Sequence, residues 1–161
     1  MPPPVCLRPA TPGDTEFLAA VYAATRMDEL AATDWDDAQK ADFCRMQFSA
    51  QDTHYWQHYP TAEFSVIEVP GTSVGRLYVD RWPREIRIMD IAILPEHRGK
   101  GIGTDLLLRL QSEAAGSDRC LTIHVERFNP ALRLYERLGF RMTEDKGVYF
   151  LMEWTPATGL K

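Results

Sequence analysis

The sequence predicts a single α/β (α+β) domain over residues 1–161, built on a central mixed, mostly antiparallel sheet flanked by helices. Three observations support this prediction. The chain has 161 residues, of which 45% are apolar, enough to fill the core of one domain. Strand-like and helix-like segments follow one another in the order β-α-α-β-β-β-α-β-α-β-β. One apolar strand passes directly into a glycine-rich turn and an amphipathic helix.

The first half of the chain predicts a strand, two helices and a hairpin. Thr11 can cap the first helix and Pro12 suits its first position, because that residue needs no N–H donor there. Pro70 and Gly71 form a turn signal between two strand-like runs, which indicates a hairpin. The predicted segments are a strand at residues 5–8, a second helix at 36–51, and hairpin strands at 64–69 and 74–80.

The second half predicts a central strand followed by alternating helices and strands. Residues 85–94 are apolar on both faces in their second half, as expected for a central strand. Alternation places Ile88 and Asp90 on the same face. Asn129 is the expected cap of a late helix, with Pro130 at its first position. The other segments are helices at 102–115 and 130–138 and strands at 121–125, 140–143 and 148–154.

Composition argues against several classes of function. The net charge is -5 and no basic footprint is present, so a nucleic-acid partner is not expected. No apolar run approaches the ~18 residues of a membrane helix, and no signal peptide is visible, so a cytoplasmic protein is expected. The three cysteines and four histidines match no metal motif, which predicts that no metal is bound.

The most informative stretch is IAILPEHRGKGIGT, residues 91–104. A strand stops at Pro95, and Gly99, Gly101 and Gly103 alternate where the next helix begins. Glycine allows positive φ and a close approach of the backbone to a ligand. The free N–H groups of the first helical turn favour an anion. A pyrophosphate is therefore the expected ligand, and simple turn formation is the alternative.

Two nucleotide-binding motifs are close to this stretch but do not fit it. The Rossmann fingerprint requires G-x-G-x-x-G and an acidic residue about 20 positions later, whereas the spacing here is G-x-G-x-G. A Walker loop requires Ser or Thr after Gly-Lys, whereas Lys100 is followed by Gly101. A nucleotide-binding protein of another fold stays an alternative that the spacing disfavours.

Two motifs together resemble those of the GCN5-related N-acetyltransferase (GNAT) family. RGKGIG at residues 98–103 resembles the R/Q-x-x-G-x-G/A signature, and NPALRLYERLGF at 129–140 resembles N-x-x-A-x-x-x-Y-E-x-x-G-F. Asn129 stands six positions before Tyr135, where many members have seven. The predicted order of elements is similar to the GNAT fold over nearly the whole chain.

The resemblance implies an enzyme that binds acetyl-coenzyme A and transfers its acetyl group to an amine. In that family the backbone after the central strand binds the pyrophosphate, while the strand itself binds the pantetheine arm through main-chain hydrogen bonds. A backbone N–H near Ile93 would stabilise the oxyanion. The coenzyme A-binding residues that the resemblance implies are Ile91, Ala92, Ile93, Arg98, Gly99, Lys100, Gly101, Ile102, Gly103, Thr104 and Asn129.

Tyr135 is the catalytic acid that the resemblance implies, and packing in the core is its alternative. A tyrosine hydroxyl, with a reference pKa of about 10, stays protonated at neutral pH and can donate a proton to the leaving thiolate. Asp90 is the leading candidate for the base, because burial in the strand would raise its pKa. Its alternative is a structural acid that pairs with an arginine. His124 and Glu126 are further candidates.

The acceptor wall is expected within residues 25–60, where the family places it. Carboxylates and aromatic rings together suit a small cationic amine, or an N-terminal or lysine amine, through charge and cation–π contact. Solvated acids and buried aromatics are the alternative. The residues concerned are Asp28, Glu29, Asp34, Trp35, Asp36, Asp37, His54, Tyr55, Trp56 and Tyr59.

Two further expectations rest on the resemblance. A non-catalytic acyl-coenzyme A-binding or regulatory domain of the same fold is the alternative function, which an intact Tyr135 disfavours. A homodimer formed through a sheet edge follows by analogy only. The residues that could cover such an edge are Phe150, Leu151, Met152 and Trp154.

Overall fold

The chain folds in the predicted order of strands and helices. The computed structural model describes residues 4–156, and the side chains of Asp28 and Glu29 lie outside the described part. In chain order the elements are β1 (Cys6–Pro9), α1 (Thr15–Leu30), α2 (Asp37–His58), β2 (Glu63–Val69), β3 (Thr72–Arg81), β4 (Glu85–Ile93), α3 (Ile102–Gly116), β5 (Cys120–Glu126), α4 (Leu132–Arg137), β6 (Arg141–Asp145) and β7 (Tyr149–Trp154).

The strands form one sheet in the order β1-β2-β3-β4-β5-β7-β6. Neighbouring strands within residues 4–156 are antiparallel, except for β4 and β5, which run parallel. Helix α3 connects these two strands, as a parallel crossover requires. This mixed, mostly antiparallel sheet flanked by helices confirms the predicted fold class.

Apolar clusters cover both faces of the sheet. Val66 and Ile67 are adjacent on β2 and both 0% exposed, yet they belong to different clusters because successive side chains point to opposite faces. Ile67 lies in the larger cluster, which packs against Leu106 and Leu107 of α3. Val66 lies in the smaller cluster with residues of α1 and α2. Burial of apolar side chains on both faces of the sheet therefore holds the helices in place.

Helices α2 and α4 differ from their predicted bounds. Helix α2 continues past residue 51 to His58, because Tyr55 and Trp56 in its last turns pack against Phe64 of β2. Helix α4 begins at Leu132, two residues later than predicted. The Oδ1 atom of Asn129 accepts a hydrogen bond from the Ala131 N–H at 2.8 Å and stabilises a turn there instead of a helical cap.

A β-bulge in β4 changes which residues share a face. Tyr78 pairs with Asp90 while the next residue, Val79, pairs with Ile88, so Met89 is the extra residue on β4. The prediction that Ile88 and Asp90 share a face is therefore wrong. Ile88 lies in the cluster beneath α3, whereas Asp90 lies on the opposite face of the sheet.

Strand β7 is an internal strand of the sheet, because it pairs with β5 on one side and β6 on the other. The expectation that its apolar residues cover a sheet edge is therefore wrong. Met152 is 1% exposed, and Phe150 and Trp154 pack against the larger cluster. The edge beyond β7 is β6, whose five residues are all exposed. Dimerisation stays a prediction.

Candidate active site

The parallel strands β4 and β5 separate in the middle of the sheet. Their pairing ends at Ile88 and Ile123, although β4 continues to Ile93 and β5 to Glu126. Successive residues of a strand direct their main-chain N–H groups to opposite sides. The Leu94 N–H donates to the Val74 carbonyl of β3, so the N–H of the preceding residue, Ile93, faces the gap. The gap thus exposes main-chain donors and acceptors that a ligand with amide groups can satisfy.

A cavity of about 970 Å³ opens from this gap, and we call it the glycine cavity. One wall is the end of β4 together with the turn that leads into α3, and the other is the segment from Glu126 to α4. The sequence-predicted residues that line it are Ile91, Ala92, Ile93, Arg98, Gly99, Gly101, Ile102, Gly103, Thr104, Asn129 and Tyr135. Of the predicted binding set, Lys100 is not among the described wall residues.

The turn before α3 depends on glycine for its backbone conformation. Gly99 and Gly101 have φ of +75° and +82°, in the left-handed region that disfavours other residues. Gly101 is the N-cap of α3 and offers no side-chain oxygen, so the first N–H groups of the helix stay available to a ligand. Arg98 Nε donates to the Ile93 carbonyl at 2.8 Å and thereby ties the turn to the end of β4.

Tyr135 lies at the junction of the glycine cavity and a second cavity of about 490 Å³, because it lines both. Its side chain packs edge-on against Phe140 with ring centroids 5.6 Å apart, and the residue is 5% exposed. Burial raises the pKa of the Tyr135 hydroxyl, and the negative charge of Asp90 raises it further. The hydroxyl therefore stays protonated at neutral pH.

We call the second cavity the charged cavity, because basic and acidic side chains meet in its wall. Arg76 and Asp90 form an ion pair there, with Nε and Oδ2 2.5 Å apart. The Arg76 side chain is 1% exposed, and its guanidinium lies 4.9 Å from the centre of the Tyr78 ring. Asp90 is thus paired with an arginine, as the alternative to a catalytic base expected for a structural acid. Its side chain is 27% exposed.

His124 lies in the same wall beside two cations. Arg87 Nη1 is 3.3 Å from His124 Nδ1, and Arg87 also contacts Thr122 and Glu85. Partial burial lowers the pKa of His124, and the charges of Arg87 and Lys146 lower it further. The imidazole is therefore neutral near pH 7. Glu126 lines both cavities, so His124 and Glu126 both stay candidates for the base.

Helices α1 and α2 both contribute to the wall of the charged cavity, but few of the residues that suggested an acceptor lie in it. Tyr55 and Tyr59 line the cavity. Trp35 instead packs on Phe43, with the ring centroids 5.1 Å apart. Asp36 is the N-cap of α2. Four more of the suggested residues lie outside the described wall of the charged cavity: Asp34, Asp37, His54 and Trp56.

Sequence reasoning missed most of the basic residues in this wall. Arg76 stands in the apolar run Val74-Gly-Arg-Leu-Tyr-Val79, and a charged residue in a buried strand requires a partner. That isolated arginine was the available signal. Arg87 and Lys146 gave no comparable signal, because neither stands in a continuous apolar run and basic residues are common on any surface.

Two classes of feature do not occur in the described part of the chain. No helix among residues 4–156 is long and apolar enough to cross a membrane. Within the same residues, His, Cys, Asp and Glu form no group of three or more that could bind a metal ion.

The fold is that of the GNAT acetyltransferases. The sequence model described as "Acetyltransferase (GNAT) domain" matches residues 60–142, which is more than half of the chain. The chain therefore belongs to the GNAT family, which confirms the resemblance inferred from the two motifs. A search of curated proteins finds no match.

Solved structures share the fold over nearly their whole length. PaiA N-acetyltransferase from Thermoplasma acidophilum, in complex with coenzyme A, has 18% identity and a TM-score of 0.71, covering 94% of this chain and 99% of its own. An acetyltransferase from Thermus thermophilus has 20% identity and a TM-score of 0.70, covering 96% and 99%. A spermidine N-acetyltransferase SpeG chimera from Vibrio cholerae and hSSAT has 22% identity and a TM-score of 0.64, covering 98% of both. At these identities the likeness establishes the fold.

Proposed function

We propose that the whole chain acts as one acetyltransferase domain that transfers the acetyl group of acetyl-coenzyme A to a primary amine. The glycine cavity would bind acetyl-coenzyme A and the charged cavity would bind the acceptor. One observation supports this division above all others: the two cavities meet at Tyr135, beside the gap between β4 and β5. Membership of the GNAT family supports the reaction class, and the coenzyme A complex of the PaiA structure supports the cosubstrate.

The groups along the glycine cavity suit the parts of coenzyme A. The pyrophosphate would contact the N–H groups of residues 99–104, where left-handed glycines leave open space and the α3 dipole favours an anion. Lys100 would add positive charge at this turn, and Asn129 would contact the arm of the cosubstrate. The amides of pantetheine would pair with the free edge of β4 at residues 91–93, as a short additional strand.

The proposed reaction is direct attack at the junction of the cavities. The amine nitrogen bonds to the thioester carbonyl carbon, and the developing oxyanion accepts a hydrogen bond from the Ile93 N–H that faces the gap. The carbon–sulfur bond then breaks as the nitrogen releases its remaining extra proton to water, and Tyr135 donates its hydroxyl proton to the leaving thiolate. Water restores that proton to Tyr135 from the solvent.

The amine must lose a proton for this attack, and Asp90 is the base that we propose. Its Oδ2 atom accepts from Arg76, while its Oδ1 atom accepts no hydrogen bond from the described residues. Oδ1 is therefore available to the ammonium of the acceptor. His124 and Glu126 line the same cavity and are the alternatives that activity profiles can separate.

Calorimetric titration of acetyl-coenzyme A tests the binding half of this proposal. Gly101→Glu should reduce affinity at least about a hundredfold, because it combines backbone strain with a carboxylate at the phosphate position. The matched control is Gly71→Glu, since Gly71 also has a positive φ and open surroundings but lies in the β2–β3 turn. Equal loss in both variants, or no binding by the wild type, would contradict the assignment of the cavity.

Release of free thiol across a panel of primary amines tests the transfer half. Amine-dependent release that Gly101→Glu abolishes is the expected result. Binding of acetyl-coenzyme A without release for any amine would instead favour the non-catalytic acyl-coenzyme A-binding domain.

A further inference from the structure

We infer that the acceptor carries a carboxylate in addition to its reacting amine, and that the charged cavity binds this carboxylate. The inference concerns the substrate class and rests on the acetyltransferase function proposed above. It differs from the cationic acceptor that the acidic first half of the sequence suggested. The acids behind that suggestion whose side chains are described, Asp34, Asp36 and Asp37, lie outside the cavity wall.

The charge of the cavity wall is opposite in sign to that of the chain. Among the residues that the structure describes, four basic ones line it, Arg26, Arg76, Arg87 and Lys146, and two acidic ones, Asp90 and Glu126. The whole chain has a net charge of -5, so this local excess of positive charge does not follow from composition. Fixed charges of one sign in a cavity attract ligand groups of the other sign and repel like ones.

The basic residues at one end of the cavity form a suitable carboxylate subsite. Lys146 is exposed, and its ammonium forms no hydrogen bond or ion pair with the residues that the structure describes. Arg87 Nη1 points to His124 Nδ1 at 3.3 Å, so a neutral imidazole that accepts there carries its proton on Nε2. Lys146 and His124 Nε2 are then both available as donors to an anion. Arg87 and Lys146 lower the pKa of His124 beyond the effect of burial, which agrees with a positive potential at this point.

Nearby acids reduce this potential without removing it. Glu85 offsets Arg87 through its bond to Nη2, and Glu144 acts on His124 against Arg87 and Lys146. The two cations still outweigh the acids at His124, because Arg87 and Lys146 each affect its pKa more strongly than Glu144 or Glu85 does. A carboxylate bound here would complete the charge balance of the subsite.

The part of the cavity around Asp90 suits the amine. Asp90 has a free Oδ1 atom, and Tyr135 marks the position of the thioester. An amino carboxylate can therefore direct its ammonium to Asp90 and its carboxylate to Lys146 and His124. A polyamine would instead bring its second ammonium next to Arg87 and Lys146, where like charges repel.

The test compares amines that differ in one charge. Thiol release is measured with a series of amino acids, with their carboxamides and with a polyamine, for the wild type, Lys146→Glu and Lys40→Glu. The wild type should prefer an amino acid over its carboxamide at least about tenfold in kcat/KM.

Lys146→Glu should reduce this ratio of kcat/KM values about five- to tenfold, mainly through KM, while Lys146→Arg preserves it. Lys40 lies on α2 outside both cavity walls, so Lys40→Glu should leave the ratio unchanged.

The outcomes separate this inference from the proposed function. Release with a polyamine or with carboxamides in preference to amino acids would overturn the carboxylate subsite and leave the acetyltransferase standing. An unchanged ratio in Lys146→Glu would overturn the subsite as well. Calorimetric binding of the amino acids to the coenzyme A-loaded protein provides a readout without turnover. Absence of binding for every carboxylate-bearing amine there would also overturn the inference, whatever the result for acetyl-coenzyme A.

Discussion

The two cavities are built in different ways, although they share Tyr135. The glycine cavity is lined mainly by residues of the segments 91–104 and 126–137, and the turn within the first segment presents the main-chain N–H groups at the start of α3. The charged cavity is assembled from side chains on α1, α2, β3, β4, β5 and the β6–β7 turn. A main-chain site of this kind suits a ligand that every member of a family uses. A side-chain site can change with the acceptor while the fold is retained.

The first prediction concerns the junction and has the largest expected effect. Tyr135→Phe should reduce kcat about a hundred- to ten-thousandfold, because the thiolate would leave without its proton donor. Affinity for acetyl-coenzyme A should be nearly unchanged, as measured by titration. The control is Tyr78→Phe, a buried tyrosine that lines neither cavity. A loss of binding equal to the loss of rate would assign Tyr135 to packing instead.

The pH profile sharpens the same prediction. Burial raises the pKa of Tyr135 above its usual value near 10, so the acid stays protonated through neutral and mildly alkaline pH. In the wild type, kcat/KM should rise with pH as the amine loses its proton, without an alkaline fall below pH about 10. A fall at pH 8 to 9 that Tyr135→Phe removes would contradict this environment.

The second prediction separates the two roles of Asp90 in the charged cavity. Asp90→Asn should lower the free energy of unfolding by about 1–3 kcal/mol, because buried Arg76 loses its charged partner. It should also lower kcat if Asp90 is the base. Glu126→Gln lies in the same cavity, but Glu126 forms no ion pair among the described residues, so it should leave stability unchanged. A fall in kcat for Glu126→Gln but not for Asp90→Asn would move the base to Glu126.

These comparisons show why the sequence predicted one cavity better than the other. The turn around Gly101 was predictable because the strand, the glycines and the helix start are adjacent in the chain. The position of Asp90 was not, because strict alternation contains no sign of the bulge at Met89 that turns Asp90 towards Arg76. Lys146 lies 56 positions from Asp90 and reaches the same cavity only through the pairing of β7 with β5.

The third prediction tests how β3 supports the glycine cavity. A Cβ added at Gly75 would lie 2.2 Å from the Ala92 carbonyl oxygen, so Gly75→Ala must displace β4. We expect a loss of about 1–3 kcal/mol in unfolding free energy and weaker acetyl-coenzyme A binding, since Ala92 lines the cavity. Gly116→Ala is the control, because a Cβ there meets nothing within 4 Å. Unfolding by denaturant and calorimetry check both effects, and wild-type values for Gly75→Ala would contradict them.

The fourth prediction has the smallest effect and measures the potential of the charged cavity directly. Lys146→Glu should raise the pKa of His124 towards its usual value, because one of the cations that lowers it becomes an anion. Titration of the imidazole resonances by NMR checks this change, with Lys40→Glu as the matched control. An unaltered His124 titration would show that Lys146 does not act on this end of the cavity.

The short ladder between β4 and β5 also has a consequence for local stability. Four residue pairs, from Glu85 with Cys120 to Ile88 with Ile123, join β1–β4 to the β5-β7-β6 part of the sheet. The amides that face the gap beyond that seam, within residues 89–93 and 124–126, should exchange their hydrogens sooner than those within the ladder. A ligand that spans the seam would slow their exchange and raise the melting temperature with its concentration, since it binds the folded state alone. The cosubstrate would then serve as a removable strand that completes the sheet.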